Sequence, residues 1–425
     1  MSIFRLVAAL ALSAACAPAA DFFVRDGDRV VFLGDSITEQ RLYTTYLEAY
    51  ALTRHPDWKL TFRNVGWGGD TAWLRQRAST DEGKLFAAAD DEQQALIAKA
   101  VGAGLARDVL PLKPTVVTIK FGMNDHLYQA FRPDVCKAYV RSQTALVNVL
   151  KQNGARVALL TPQPIEERKP DPDQDPRNLA LRKFSDGLRE VAQTNGVLFV
   201  DQFDPYMAIM RRACATNAGA HIGGGDAVHP GPAGHTLMAW AVRKGLGATP
   251  LVSSAEISCG WWKRARHEQN CRVTNVKLAD GVLRFDRLDG ALPLPVDPRA
   301  AAALPLAPVI EELDAYILKV AGLKGENYAL AIDGRAAGTV TKAELEQGWN
   351  MARIPSPMLD QAQEVLQLVF QKNEVFFNRW RNVQLNPARQ AELPALDQQI
   401  AELEAKIDAA RKPKAHHFEL TPVPR

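Results

Sequence analysis

The sequence predicts an α/β fold in which a doubly wound, mostly parallel sheet carries helices on both faces. From about residue 21 to residue 247, short apolar runs alternate with segments of helix length, and this alternation is typical of parallel sheets connected by helices. Several runs are apolar nearly throughout, as are strands that are buried on both faces of a parallel sheet. Gly, Pro and Asp residues bound the runs and indicate where the strands end.

Five apolar runs, rich in Val, Leu and Phe, are the predicted strands of this sheet. They are Arg29–Asp35, Leu60–Gly66, Thr115–Gly122, Arg156–Pro162 and Val197–Phe203. Ligands of such sheets bind at the carboxyl ends of the strands, so we expect functional side chains just after these runs. The connection from Leu74 to Ala106 is long for one crossover, and its Ala-rich, acidic sequence predicts extra helices near the same edge.

The sequence pattern changes after this first domain, which we assign to residues 21–250. Two Asp-Gly pairs, at Asp280 and Asp333, lie among alternating apolar residues, and this pattern predicts β-hairpins. We therefore predict a smaller β-rich module over residues 251–355.

Two helices are predicted after the module, at Pro357–Trp380 and Leu396–Ala410, and we interpret residues 356–411 as a helical hairpin. The second helix has an apolar stripe that needs a packing partner, at positions 396, 400, 403 and 407. We expect the C-terminal third to support the rest of the chain rather than to carry a second active site. Residues 412–425, with their adjacent histidines His416 and His417, are predicted to be a disordered tail.

Residues 1–20 have one Arg, an apolar stretch and small residues at the end, which is typical of a secretory signal peptide. We expect cleavage after Ala19 or Ala20 and an exported protein, periplasmic or extracellular. Attachment of a lipid at Cys16 is the alternative, but Ser13 stands three positions before it where a Leu is usual. No later apolar stretch is long enough to span a membrane. The net charge of +3 over 425 residues gives no reason to expect a nucleic-acid partner.

Removal of the predicted signal peptide leaves four cysteines, Cys136, Cys214, Cys259 and Cys271. An exported chain with four cysteines is compatible with disulfides. Cys259 and Cys271 flank a short segment, and we predict that they form a disulfide. No C-x-x-C spacing is present, so no metal site is predicted.

The segment GDSIT places Ser36 at the break between the first strand and a following helix. One interpretation is structural, because Ser36 and Glu39 have the S-x-x-E spacing of a capping box. The other is chemical, because a serine at a strand-to-helix turn lies at the ligand-binding edge of the sheet, beside free helix N–H groups.

A serine nucleophile needs a base, and the segment DAVHP supplies Asp226 and His229. In a tight turn this spacing allows the carboxylate to hold one imidazole nitrogen while the other faces the serine. The alternative is an Asp that caps a turn beside a surface His. His235 fits the helix that follows, and we expect it to be structural.

Donors for a developing oxyanion are predicted after the second and third strands. In RNVGWGGDT, the glycines around Gly69 allow backbone N–H groups to approach a ligand closely; the alternative is an ordinary strand-to-helix turn. In GMND, Asn124 follows the third strand, where its amide can point to the same place. Its alternative is an Asx turn.

These four segments together resemble the SGNH hydrolases, also called GDSL esterases/lipases. GDSIT, NVGWGGDT, GMND and DAVHP occur in the order of that family, over roughly residues 29–242. The resemblance implies an SGNH/flavodoxin-like sheet, Ser36 as nucleophile, His229 as base and Asp226 as the residue that orients the base. It implies an oxyanion hole formed by the backbone N–H groups of Ser36 and Gly69 and the side chain of Asn124. The C-terminal region is similar to accessory regions of some bacterial members.

The sequence-based hypothesis is therefore an exported serine ester hydrolase that needs no cofactor or metal. We expect it to remove small acyl groups from a carbohydrate, with Trp67 and Trp73 near the oxyanion loop as substrate-binding residues. Cleavage of lipid or lysophospholipid esters is the alternative within the class. A non-catalytic carbohydrate-binding protein and a metallophosphoesterase are alternatives from other classes. The latter would need a D-x-H near the first strand and a late paired-His motif, and the sequence has neither.

Overall fold

The structure is a computed structural model that describes residues 21–260 and 264–423. The predicted signal peptide at residues 1–20, including Cys16, lies outside the described residues. Among the residues described, no helix has the length and apolar character that crossing a membrane requires.

The five predicted strands form one parallel sheet, as the sequence pattern indicates. The strand order is β2-β1-β3-β4-β5, so β1 lies between β2 and β3 at the point where the chain changes direction across the sheet. The strands are β1 Arg29–Gly34, β2 Thr61–Asn64, β3 Val116–Lys120, β4 Arg156–Leu160 and β5 Leu198–Val200.

Helices cover both faces of this sheet, so the predicted fold class is confirmed. Alternate side chains of β1 enter opposite apolar clusters, Val30 and Phe32 on one face and Val31 and Leu33 on the other, as the two-residue period of a strand requires. The helices of this region are α1 Ser36–Glu39, α2 Leu42–Arg54, α3 Arg75–Ala78, α4 Glu82–Ala87, α5 Asp90–Asp108, α6 Pro133–Gln152, α7 Pro176–Asn195, α8 Phe203–Thr216 and α9 Pro232–Gly245. The long connection thus forms α3, α4 and α5.

The region after residue 250 forms two further sheets, with strand orders β13-β10-β6-β7 and β12-β11-β14-β9-β8. Both predicted Asp-Gly hairpins are present, and the turn residues Asp280, Gly281, Asp333 and Gly334 all have φ between 50° and 80°. Such positive φ angles are what a two-residue type I′ turn needs. The strands are β6 Leu251–Ser258, β7 Arg264–Gln269, β8 Cys271–Ala279, β9 Val282–Asp289, β10 Ala315–Ala321, β11 Asn327–Ile332, β12 Arg335–Thr341, β13 Trp349–Asn350 and β14 Ala415–Pro422.

The prediction of a disordered tail at residues 412–425 is wrong for the described part of that segment. Strand β14 pairs with β9 on one side and β11 on the other, so it is an interior strand of the five-stranded sheet. Phe418 and Leu420 are buried, because alternate residues of the strand face the core of the β-rich module.

Two long helices form the predicted helical hairpin and pack on the first sheet region. Helix α12 contacts α2 and β2 as well as α13. In the stripe of α13, Ile400, Leu403 and Ile407 are buried. A π-helical turn, Asn378–Gln384, continues α12. The helices after residue 250 are α10 Val309–Leu313, α11 Lys342–Gln347, α12 Pro357–Phe377 and α13 Leu393–Ala410.

The predicted disulfide between Cys259 and Cys271 is wrong. Cys271 carries a free thiol, which donates to the carbonyl oxygen of Ser254 at 3.2 Å. Cys259 lies five residues beyond Ser254 along β6, roughly 16 Å away in an extended strand. A disulfide needs Cα atoms within about 7 Å of each other, so the β6–β7 pairing separates two cysteines that are close in sequence.

Candidate active site

Ser36 is the first residue of α1 and is separated from the end of β1 by Asp35 alone. Asp35 occupies the N-cap position, and its carboxylate accepts the backbone N–H of Ile37 at 3.0 Å. The interpretation of Ser36 and Glu39 as a capping box is therefore wrong. The Ser36 hydroxyl instead contacts His229, whose Nε2 lies 2.9 Å from Oγ.

His229 and Asp226 lie in a tight loop before α9. One carboxylate oxygen of Asp226 is 3.1 Å from His229 Nδ1, and the other accepts the backbone N–H groups of Val228 and His229, each at 2.7 Å. The N–H of His229, followed by that of Val228, holds the pKa of Asp226 below its usual value. An ionised carboxylate at Nδ1 keeps the proton on that nitrogen, so the Nε2 lone pair faces Ser36. The loop needs Gly225 (φ +76°), because a Cβ there would lie 2.2 Å from the His229 carbonyl oxygen.

The predicted oxyanion donors follow the two strands that flank β1. Gly69 has φ +73°, a left-handed conformation that glycine adopts readily. Asn124 Nδ2 donates to the backbone carbonyl of Asp70 at 2.8 Å, and its Oδ1 accepts from the hydroxyl of Tyr128 at 2.9 Å. Asn124 is thereby tied to the loop that carries Gly69, at the same sheet edge as Ser36.

A model of a known protein family matches the region of the chain that carries these residues. Residues 32–237 match the GDSL-like Lipase/Acylhydrolase family. The chain carries a GDSL-like lipase/acylhydrolase domain. It is a hydrolase that acts on ester bonds. No curated protein was found to match the chain.

Solved structures resemble the chain to different extents. A gut microbial diltiazem-metabolizing enzyme is 25% identical, with a TM-score of 0.77, and the match covers 94% of this chain and 98% of that one. An acetylxylan esterase from Geobacillus stearothermophilus is 22% identical, with a TM-score of 0.40, and the match covers 52% of this chain and 95% of that one. A hydrolase from the metagenome of Lake Arreo, Spain, is 22% identical, with a TM-score of 0.40 and coverage of 53% and 98%.

Buried ionisable side chains lie close to Ser36 in the GDSL-like domain, and no role was predicted for them from the sequence. The two carboxylate oxygens of Asp125 accept the backbone N–H groups of Ala72 at 2.7 Å and Gly122 at 2.9 Å, so this side chain joins the loops that follow β2 and β3. Burial raises the pKa of Asp125 to about 8. The buried ammonium of Lys120 is 3.9 Å from Asp35. Asp35 belongs to the GDSIT segment and Asp125 to the GMND segment. Their place in these motifs is the sequence feature from which a role could have been predicted.

Helix α3 of the GDSL-like domain contacts the loop that carries Gly69 through two arginines. The guanidinium of Arg75 donates to the carbonyl oxygen of Gly69, with Nε at 3.1 Å. Buried Arg77 binds the carboxylate of Asp70 and the carbonyl oxygen of Val65, and its Nε is 3.1 Å from Asp108. The sequence predicted helices here but gave no indication that their arginines fix the loop.

The two tryptophans predicted to bind substrate have different environments. Trp73 is fully buried, and its Nε1 donates to Glu82 at 3.0 Å; its assignment to substrate binding is therefore wrong, because the side chain points into the core. Trp67 is half-buried between residues of the helical hairpin: the Arg381 guanidinium lies 3.7 Å from its ring centroid, and Trp380 packs against it edge to face at 5.9 Å. A substrate-binding role of Trp67 stays a prediction.

The loop of Asp226 and His229 is anchored by Glu166, which the sequence analysis did not single out. Buried Glu166 accepts the N–H groups of Ile222 at 2.8 Å and Gly223 at 3.1 Å, and it also accepts the hydroxyl of Tyr206. Its own N–H donates to the carbonyl oxygen of Ala227 at 2.9 Å. Glu166 therefore contacts the loop on both sides of Asp226, through its carboxylate on one side and its backbone N–H on the other.

His235 of the GDSL-like domain has a different environment from His229. It is buried in α9, where Nδ1 accepts the N–H of Tyr43 at 3.2 Å and Nε2 faces the amide oxygen of Gln40 at 2.9 Å. Burial lowers its pKa to about 3, so the ring is neutral. Over residues 21–260 and 264–423, no three His, Cys, Asp or Glu side chains converge in an arrangement suited to a metal ion.

Proposed function

We propose that the chain is an exported esterase that uses Ser36 as nucleophile, His229 as general base and Asp226 as the residue that orients the base. Ser36 Oγ attacks the ester carbonyl carbon while its proton passes to His229 Nε2. The C–O bond to the alcohol then breaks, and His229 returns the proton to the departing oxygen. Water attacks the acyl-enzyme with His229 again as base, and the acid leaves as Ser36 regains its proton.

The contact between Ser36 Oγ and His229 Nε2 at 2.9 Å carries this proposal. It lies within the hydrogen-bond reach that a general base needs, and the Asp226 contact at Nδ1 leaves Nε2 as the acceptor. The second N–H of Asn124 and the backbone N–H groups of Ser36 and Gly69 are the proposed donors to the tetrahedral oxyanion. They would stabilise negative charge as it develops, together with the N-terminus of α1.

The exposure of the triad supports a small acyl group and a bulky, polar alcohol. The side chain of Asp226 is 67% exposed and that of His229 is 38% exposed, so a large substrate can approach the base. The exposed ring of Tyr128 beside Asn124 offers an apolar face with a polar tip, which suits a sugar ring. The structural neighbour is a diltiazem-metabolizing enzyme, which is consistent with a small-molecule substrate.

Cleavage of lipid esters is the second candidate, and the surface argues against it. An enzyme that works on a lipid surface needs a contiguous exposed apolar patch. Among the described residues, the strongly exposed large apolar side chains are few, and only Tyr128 and Phe131 among them are near each other in the sequence: the set is Tyr128, Phe131, Leu179, Leu288 and Val423.

A substrate panel tests this proposal. The panel contains p-nitrophenyl esters from acetyl to palmitoyl, acetylated xylose and glucose, and diltiazem, each assayed with wild-type protein and with the Ser36→Ala variant. We expect Ser36-dependent release of acetate from the short esters and the sugars, and little turnover beyond butyryl. Preference for palmitoyl esters would favour a lipase, and binding of sugars without any hydrolysis would favour a carbohydrate-binding protein. N-terminal sequencing of the exported protein tests cleavage after Ala19 or Ala20.

A further inference from the structure

The segment after the GMND motif has an unusual backbone. Leu127 and Tyr128 both adopt left-handed conformations, with φ angles of 55° and 56°. Such conformations cost free energy for residues other than glycine, and they persist where surrounding contacts hold them. The turn is closed by the N–H of His126, which donates to Gly122 O at 3.2 Å, and by the N–H of Leu127, which donates to Asn124 O at 3.1 Å.

This backbone turn brings the side chain of Tyr128 back onto Asn124. The phenolic O–H donates to Asn124 Oδ1 at 2.9 Å, because an amide oxygen can only accept. At the other end of the amide, Nδ2 donates to the carbonyl oxygen of Asp70 at 2.8 Å, which can also only accept. The two contacts assign the amide oxygen and nitrogen without ambiguity, and one N–H of Nδ2 remains for another acceptor.

We propose that Tyr128 is a positioning residue for the oxyanion hole: its hydroxyl fixes the Asn124 carboxamide so that the remaining N–H faces the oxyanion. This inference rests on the proposed function and adds a residue to it. A rotated amide would turn Oδ1 toward the developing negative charge and would repel it, so the orientation of Asn124 affects the transition state more than the substrate complex.

The environment of Tyr128 suits this role. Burial, followed by the nearby carboxylate of Asp35, raises the pKa of Tyr128 to about 12, so the hydroxyl remains a donor at any pH at which the enzyme works. The ring is 41% exposed and forms part of the surface beside the catalytic residues. Loss of the hydroxyl alone therefore leaves the packing of the core unchanged.

The test is the Tyr128→Phe variant, with kcat and KM measured on p-nitrophenyl acetate. We expect kcat to fall about 10-fold with KM within about two-fold of wild type; the fall is smaller than for loss of the Asn124 donor itself, because Asp70 still holds Nδ2. Tyr50→Phe is the matched control: the Tyr50 hydroxyl makes a bond of the same length, 2.9 Å, to Thr249 O, and Tyr50 lies in the C-terminal half of α2, away from the end that follows Ser36. We expect that control to keep wild-type kcat.

A double-mutant cycle separates this role from support of the turn. In an Asn124→Ala background, Tyr128→Phe should cause no further loss of kcat, because there is no amide left to orient. Tyr128→Leu, which also removes the hydroxyl, should match Tyr128→Phe, and thermal melting curves of all variants verify that they are folded.

Three results would overturn the inference: wild-type kcat in Tyr128→Phe, a rise in KM alone, or an undiminished 10-fold loss in the Asn124→Ala background. Absence of ester hydrolysis by the wild-type protein would instead overturn the proposed function. The two failures are therefore distinguishable in one set of assays.

Discussion

At the scale of single residues, Asp35 rather than Ser36 caps α1, and the Ser36 hydroxyl is therefore free to contact His229. Asp35 caps α1 through its bond to the N–H of Ile37 at 3.0 Å, so Ser36 can contact His229. Asp125 plays a similar supporting role, because its two oxygens bind N–H groups of two separate loops. The carboxyl groups of Asp35 and Asp125 thus fix the backbone segments close to Ser36.

Substitution of Asp125 should destabilise the domain in a graded way. Asp125→Ala leaves two buried N–H groups without acceptors, and at about 1–3 kcal/mol each we expect a loss of about 2–6 kcal/mol in the free energy of unfolding. Asp125→Asn keeps one acceptor oxygen, so its free energy of unfolding should lie between those of wild type and Asp125→Ala. Urea denaturation measures all three proteins. Asp90→Asn is the control, because Asp90 pairs with Lys137 and Arg141 at the surface. Equal stability of Asp125→Ala and wild type would contradict the assigned role.

The sequence allowed prediction of the residues that lie in compact motifs. Ser36 was predicted from its place after β1, because parallel strands bring such positions to one edge of the sheet, whereas Asp226 and His229 were predicted from their D-x-x-H spacing. The structure brings the three side chains together. The inward orientation of Trp73 could not be predicted, since a loop sequence does not reveal which side chains point inward. The proposed role of Tyr128 depends on the left-handed backbone conformations of Leu127 and Tyr128. These could not be predicted, because neither residue is a glycine, the residue that usually marks such a conformation.

At the scale of secondary-structure elements, the π-helical turn after α12 connects the C-terminal hairpin to the oxyanion loop. Arg381 in this turn stacks on Trp67, and its Nε lies 3.7 Å from a carboxylate oxygen of Glu39. Farther along the same interface, Arg41 binds Glu374 at 2.8 Å. The hairpin therefore contacts both α1 and the loop that carries Gly69.

Removal of the Arg381 side chain should slow catalysis without unfolding the protein. Stacking of a cation on an aromatic ring contributes about 0.5–2 kcal/mol, and each 1.36 kcal/mol lost in the transition state is about tenfold in rate. We expect Arg381→Ala to lower kcat by about 3- to 10-fold on p-nitrophenyl acetate, with Arg381→Lys intermediate.

Arg389→Ala provides the control for that measurement, because Arg389 lies on the same hairpin and pairs with Glu392 at the surface. Its kcat should equal that of wild type. If Arg381→Ala also keeps full kcat, the helical hairpin does not affect catalysis through the loop that carries Gly69.

The elements that the sequence misassigned share a physical cause. Strand β14 follows the two-residue alternation, with Phe418 and Leu420 facing the core and Glu419 facing outward, yet it joins strands more than 80 residues earlier in the chain. The Asp-Gly hairpins were predictable because their pairing is local. Pairing between distant segments depends on the whole chain, so short polar strands at a terminus have no local signature.

At the scale of the whole molecule, the C-terminal third completes the hydrophobic clusters of the GDSL-like domain. Val365, Val369 and Ile407 belong to the cluster on one face of the parallel sheet, and Phe376 and Trp380 belong to the cluster on the other. The solved structure with the TM-score of 0.77 covers 94% of this chain, so the same arrangement of both regions occurs in another protein.

A fragment that ends at residue 250 should therefore fold poorly. Its α2 would expose Glu48, which in the full chain is buried against Lys372 and accepts from Asn373 Nδ2 at 3.0 Å. An exposed Glu48 is solvated, so the main cost is the apolar surface that α12 covers in the full chain, at about 25 cal/mol per Å² of apolar area returned to water. We expect the 21–250 fragment to aggregate or to lack a cooperative thermal transition in circular dichroism. A soluble fragment with a cooperative transition near that of the chain from residue 21 to residue 425 would contradict this prediction.

The most direct test of the central claim, that His229 activates Ser36 as a nucleophile, is mass spectrometry after reaction with a serine-directed phosphonate. In wild-type protein, we expect one adduct on the peptide that contains Ser36, with loss of esterase activity in proportion to labelling. Ser36→Ala should remain unlabelled, and His229→Ala should react on the order of 10³-fold more slowly, since such residues act as a unit. A folded Ser36→Ala variant that keeps near-normal turnover, or an inactivating adduct on another residue, would contradict the claim.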